Sequence, residues 1–284
     1  MKLILIFPFL AIALLSMQEA RAPASNTSAQ ATPLTSAQQE AVDELKEAAR
    51  SYREGNFVEA QQHSEKALVL DPQNKTAPLF VARTLHAQYK PGDRAETNIA
   101  KAREAIDAYK RILTGDPQNE EAYKAVAYLY QALKEDELHR QWVLQRALDA
   151  TVSAEKRAEA FVVLASRDWD CSFKITELPA NKITTLTDRS AKVEYIKPKD
   201  LAEFAKAQQC AANGLALIES ALTLNPNDES AWSYKTNLLL ELSRLAEMDN
   251  NFPLKAEYEK QSEAAQSMTI ELSKKRQDDP TPKP

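Results

Sequence analysis

Glycine is scarce, with 4 in 284 residues. Loops that cradle nucleotide phosphates depend on glycine geometry, so no Walker loop or dinucleotide-binding turn is present. Histidine is rarer still. His63, His86 and His139 fall in separate stretches with no second ligand at metal spacing, so each reads as a surface or packing residue and no metal site is expected. No Gly-x-Ser-x-Gly elbow occurs, neither cysteine has a histidine beside it, and carboxylates are spread too evenly for a catalytic pair to stand out. No catalytic residue and no cofactor are expected, and the chain reads as a non-enzyme. A basic surplus is also missing. Lys and Arg number 36 against 41 Asp and Glu, a formal net charge of −5, and the two signs alternate, which argues against a nucleic-acid partner.

Long apolar runs are absent beyond the first residues. Met1 and Lys2 precede about thirteen mostly apolar positions, Leu3 to Leu15, too few to span a bilayer comfortably and the right length for a secretory signal. Residues 1–24 are therefore expected to be a signal peptide cut before Ser25, after Ala22-Pro23-Ala24. An uncleaved anchor is the alternative. The mature chain is expected to be exported, periplasmic or secreted, without a membrane span. Residues 25–36 are rich in Ser, Thr, Ala and Gln and read as a disordered linker, and 276–284 as a disordered polar tail.

What the chain does have is a recurring phrase. Within residues 41–72, Leu45, Ala48, Tyr52, Gly55, Phe57, Ala60, Ala67, Leu68 and Pro72 fall at helical spacing around one break, closed by Asp71-Pro72-Gln73-Asn74. Small Ala48 and Ala60 allow two helices to approach, Tyr52, Phe57 and Leu68 supply apolar bulk, Gly55 releases the turn, and Pro72 ends the second helix. The phrase returns as Asp116-Pro117-Gln118-Asn119 and, loosely, as Asn225-Pro226-Asn227-Asp228.

This pattern resembles the tetratricopeptide repeat family in its exported bacterial type. Its period of about 34 residues implies an all-α solenoid of stacked helix pairs. The solenoid is expected over 37–275. Helices are expected near 37–54, 57–70, 76–89, 94–113, 154–169, 201–224 and 253–274, with a first helix carrying Tyr123, Ala127 and Tyr130, its partner carrying Trp142, and a fifth-pair helix carrying Trp232. Ser36 with Gln39 reads as the first capping box. About 11 surplus residues near Gln88 to Asn98 and an insertion of about 172–199 interrupt the second and fourth pairs. Alternation at Lys174 to Leu178 and at Lys192 to Ile196 is consistent with a small β-hairpin or with an extended excursion.

Counting back from Pro226 places Cys210 at the start of the fourth second helix and Cys171 just past its first helix, so that antiparallel packing brings them together. A disulfide is expected in an exported chain with an even cysteine count, two buried thiols being the alternative.

The resemblance also implies a groove lined by first helices. The register places Tyr52, Arg83, His86, Lys124, Tyr128 and Asn237 there, as candidate partner-binding residues. The family's carboxylate clamp needs Lys and Asn where Leu45 and Ala49 stand, so that subclass is disfavoured. The function implied is a non-catalytic protein-protein interaction scaffold, binding a peptide or protein in the groove or along the insertion-bearing edge. The alternatives are a small-ligand carrier or accessory subunit of an envelope enzyme, and a structural spacer.

Overall fold

The computed structural model describes residues 33–186 and 191–278. The expected signal 1–24, most of the expected linker, residues 187–190 and residues 279–284 lie outside the described residues. Ten α-helices occupy the described residues: α1 Ser36–Arg53, α2 Phe57–Leu70, α3 Ala77–Gln88, α4 Glu96–Gly115, α5 Glu120–Ala132, α6 Asp136–Leu148, α7 Ala154–Thr176, α8 Leu201–Leu224, α9 Glu229–Met248 and α10 Phe252–Asp278. Two strands, β1 Lys182–Leu186 and β2 Ala191–Tyr195, lie between α7 and α8. Consecutive helices pack on one another from end to end, an all-α solenoid of tetratricopeptide-like pairs with a small β insertion.

The closing phrases do what their chemistry requires. Asn74 accepts the Ala77 N–H at 3.0 Å, and Asn119 the Ala122 N–H at 3.0 Å, so each phrase caps the helix that follows. Asp228 does the same for α9 at 3.1 Å. Within pairs, three turns close alike. Gly55 (φ 83°), Lys134 (φ 59°) and Asn250 (φ 57°) adopt the left-handed conformation, and the following N–H reaches back to Ser51, Tyr130 and Ala246 carbonyls. Only the first of these positions carries glycine, so the sequence advertises only that one.

Alanine makes the close packing. Ala41, Ala48, Ala60, Ala67, Ala77, Ala82, Ala102, Ala105 and Ala122 are fully buried along the first three pairs. Larger side chains fill the space beside them, with Leu129, Leu164, Ile218, Leu238 and Leu239 almost fully enclosed.

Several boundaries differ from the sequence reading. The first capping box is formed by Thr35 and Gln38, one residue earlier than the Ser36 and Gln39 pattern. The surplus in the second pair is shared between a loop and a long α4 that starts at Glu96 rather than Arg94. Asn98 holds that loop, accepting the Lys90 N–H and donating to the Lys90 and Asp93 carbonyls. Helix α10 continues through Arg276 to Asp278.

The largest difference lies at the insertion. Lys174 to Thr176 alternate in polarity yet form the last turn of α7, because Phe173 packs on Trp169 one helical turn earlier at 4.8 Å while Ile175 and Thr176 turn inward. The first strand is therefore Lys182–Leu186. It pairs antiparallel with β2, Ile183 facing Glu194 and Thr184 facing Val193.

The hairpin is fastened to the solenoid by polar side chains. Asn181 donates to the Ile175 carbonyl at 2.8 Å, the Tyr195 N–H donates to Glu247 at 3.1 Å, and Lys197 pairs with Asp249. Glu177 accepts from Tyr195 and Lys182 and faces Arg244. Beneath them Glu241, fully enclosed, takes the Thr176 hydroxyl at 2.7 Å and pairs with Arg244. Cys171 and Cys210 are joined, their Cα atoms 6.0 Å apart. The bridge links the last turns of α7 to the middle of α8 rather than the two sides of one turn, because both helices are longer than the repeat register allows.

The two carboxylates of this cluster respond to pH in opposite senses. Burial raises Glu241 above its ordinary 4.5, so its contribution favours folding below 4.5 and is lost as pH rises through the raised folded value. For Glu177 burial is outweighed by hydrogen bonds from Lys182 and Tyr195, and its folded value falls, so its contribution holds above 4.5 and is lost on acidification. The Glu241→Gln variant removes only the first effect. Between neutral pH and about pH 5 the wild-type chain should gain stability relative to that variant in urea unfolding. Identical pH dependence in the two chains would show that Glu241 does not titrate in this range.

Candidate functional site

The side chains that converge do so on the first helices. Tyr52 lies in the last turn of α1, Arg83 and His86 lie one turn apart on α3, and Lys124 and Tyr128 lie one turn apart on α5. Tyr52, Arg83, His86 and Lys124 line one hollow of about 520 Å³ with Tyr109 and Glu121. Lys124 and Tyr128 line a second, of about 290 Å³, with Tyr123, Arg146, Lys156 and Glu159. Lys124 belongs to both, so the hollows adjoin along the first-helix side and form one groove.

Aromatic rings wall this groove. The His86 ring lies 5.5 Å from Tyr128 and 6.0 Å, edge-on, from Tyr109. Tyr123 stacks on Trp142 at 5.7 Å, and the Arg146 guanidinium lies over the Tyr123 ring at 3.9 Å. Tyr128 remains about half exposed.

Charge within the groove is mostly compensated. Arg83 donates through Nε and Nη2 to both oxygens of Glu121, a bidentate pair that holds the Glu121 carboxyl below its ordinary value. Arg146 pairs with Glu120, and Lys156 with Glu159. Burial lowers His86, which is thereby neutral at neutral pH. Burial pushes Tyr109 up, and lifts Tyr123 to about 12.

Five of the six residues chosen from the sequence thus come together, and Asn237 does not. It lies on α9, half-buried, and lines neither hollow. The groove register read from the sequence does not include Tyr109, Glu121, Tyr123 or Arg146. Tyr109 and Arg146 belong to second helices, which a first-helix register ignores. Glu121 could have been found, since it stands one turn before Lys124. A third hollow, of about 740 Å³, lies where α2 and α4 end, between Leu68, Lys75, Pro78, Val81, Arg111 and Ile112, and none of the chosen residues reaches it.

Among the described residues no three His, Cys, Asp or Glu side chains gather at metal-binding distance, and no helix is long and apolar enough to cross a membrane. No family model matches the chain, and no curated protein matches it. Among solved structures it is similar to MamA, at 14% identity and TM-score 0.39 over 84% of this chain and 95% of that one. It is also similar to PilF of Pseudomonas aeruginosa, at 15% and 0.35 over 86% and 100%. A tetratricopeptide repeat protein of Parabacteroides merdae is similar at 14% and 0.35 over 83% and 98%.

Proposed function

We propose that this chain is a non-catalytic interaction scaffold that takes a peptide segment of a protein partner in the groove between Tyr52 and Lys156, and that it works outside the cytoplasm, in the periplasm or the medium. One observation carries the binding part. Tyr52, Arg83, His86, Lys124 and Tyr128, from three successive first helices, converge on one wall of adjoining hollows with partly exposed rings. Tyrosine and arginine supply rigid, amphipathic contact area and are common anchors of interfaces. The paired cysteines and the apolar stretch after Lys2 support the export part.

The test is capture by cross-linking from the native envelope, with the mature chain as bait. The double variant Arg83→Ala, Tyr128→Ala should retain less than about a tenth of the partner captured by the wild-type chain, since two anchors are lost. A chain lacking residues 182–195 should retain it. Equal capture by the groove variant, with loss on hairpin removal, would move the binding site to the insertion-bearing edge and overturn the groove reading.

A further inference from the structure

The groove holds four cations, and three are already answered. Arg83 is held by Glu121, Arg146 by Glu120, and Lys156 by Glu159. Lys124 is different. Among the described residues no carboxylate comes within 4.0 Å of its Nζ, although it is the one side chain lining both hollows. Neither neighbouring ring system changes this balance, because burial keeps His86 and His139 neutral. Tyr109 and Tyr123, raised by burial, stay protonated. The middle of the groove therefore presents one uncompensated ammonium between aromatic walls.

Resting on the peptide-groove reading, we infer that the partner segment carries an Asp or Glu side chain that docks on Lys124, with apolar or aromatic residues on both sides of it. The two-sided position decides between kinds of carboxylate. A chain terminus would need the groove to end at the cation. Here one hollow runs from Lys124 towards Tyr52 and the other towards Lys156, so a bound chain continues past the lysine in both directions and the acid is internal. The flanking side chains meet Tyr52 on one side and Tyr123 and Tyr128 on the other. The ion pair between them is partly shielded from water, which strengthens it over a fully exposed pair.

The probe is a displayed library of random peptides with blocked C-termini, selected on the full chain with wild-type Lys124 and with Lys124→Glu. Winners on the wild-type chain should be enriched in Asp or Glu at one internal position, and exchanging that residue for Asn or Gln should weaken binding about fivefold. On Lys124→Glu the same position should turn to Lys or Arg. Unchanged far-UV dichroism and melting would show that this exposed substitution leaves the fold intact. Winners without acidic enrichment, or with the same preference on both chains, would overturn the inference while leaving the groove as a peptide site. Winners indifferent to Arg83→Ala, Tyr128→Ala would instead count against the groove itself.

Discussion

Replacing both Cys171 and Cys210 by serine lowers stability by about 4 kcal/mol, read as a fall in the urea midpoint of the oxidised chain. The bridge spans 39 positions, and in the chain-entropy account a closed loop of that length contributes about that much by restricting the unfolded ensemble. Its placement sharpens the expectation. It joins α7 to α8 between the core formed by Phe161, Leu164, Ile218 and Leu222 and the outlying cluster of Ile175, Phe204 and Ala207. Those last turns extend beyond the repeat register and hold the root of the hairpin. In repeat folds each unit leans on its neighbours, so loosening one joint lowers the cooperativity of those beside it. Hydrogen exchange should therefore rise first in residues 171–210. A midpoint unmoved by reductant or by the double substitution would mean that the bridge restricts nothing the fold has not already fixed.

The Gly214→Val variant should lose about 3 kcal/mol or more, the largest effect expected from a single glycine. Gly214 lies in the interior of α8, where a Cβ atom would meet the Leu238 methyl at 2.6 Å, the Asp168 Cβ at 3.3 Å and the Ala165 carbonyl at 3.4 Å. Three helices, α7, α8 and α9, cross there. Leu238 is fully enclosed and Asp168 is held by Arg140 at 3.0 Å, so neither can retreat freely. Overpacking of this kind costs about 1–3 kcal/mol, and a branched side chain adds rotamer restriction. The alanine variant balances two terms, since a helical glycine costs about 1 kcal/mol relative to alanine while the Leu238 methyl must shift. It should change stability by less than about 1.5 kcal/mol. Calorimetry of both variants provides the measurement, and a valine variant as stable as wild type would show that the crossing can open.

Nothing in the sequence around Gly214 signals this three-helix crossing. Wherever punctuation and period agree, elements were legible: α2 was expected at Phe57–Leu70 and α8 at Leu201–Leu224, and both occur there. The phrases around Pro72, Pro117 and Pro226 carry their own chemistry, so the helices beside them could be placed. The C-terminal end of α7 could not, because Lys174 to Thr176 alternate over too few residues to separate a strand from the inward face of a helix. The groove was half legible for a related reason. First-helix register identifies Tyr52, Arg83, His86, Lys124 and Tyr128, but contributions from Tyr109 and Arg146 depend on how far the second helices slide against the first. Asn237 fell outside because register says nothing about which hollows adjoin. Glu241 was invisible, since a buried acid one turn from Arg244 reads in sequence as an ordinary surface ion pair.

The way the Tyr195 N–H is used has a consequence for how copies of this chain behave when crowded. Because that group points to Glu247 and away from β1, the pair Lys182 and Tyr195 exchanges no ladder bonds, and alternation makes Thr184 and Val193 the next such pair. Side chains from α9 cover the base of the β2 border, and the Lys182 N–H turns back to the Pro179 carbonyl. Along the described part of β1 only Thr184 and Leu186 then offer outward main-chain donors and acceptors. A border that short, with Lys182 and Lys192 beside it, is a poor template for runaway sheet growth, so the ribbon can project from the helices without seeding fibrils.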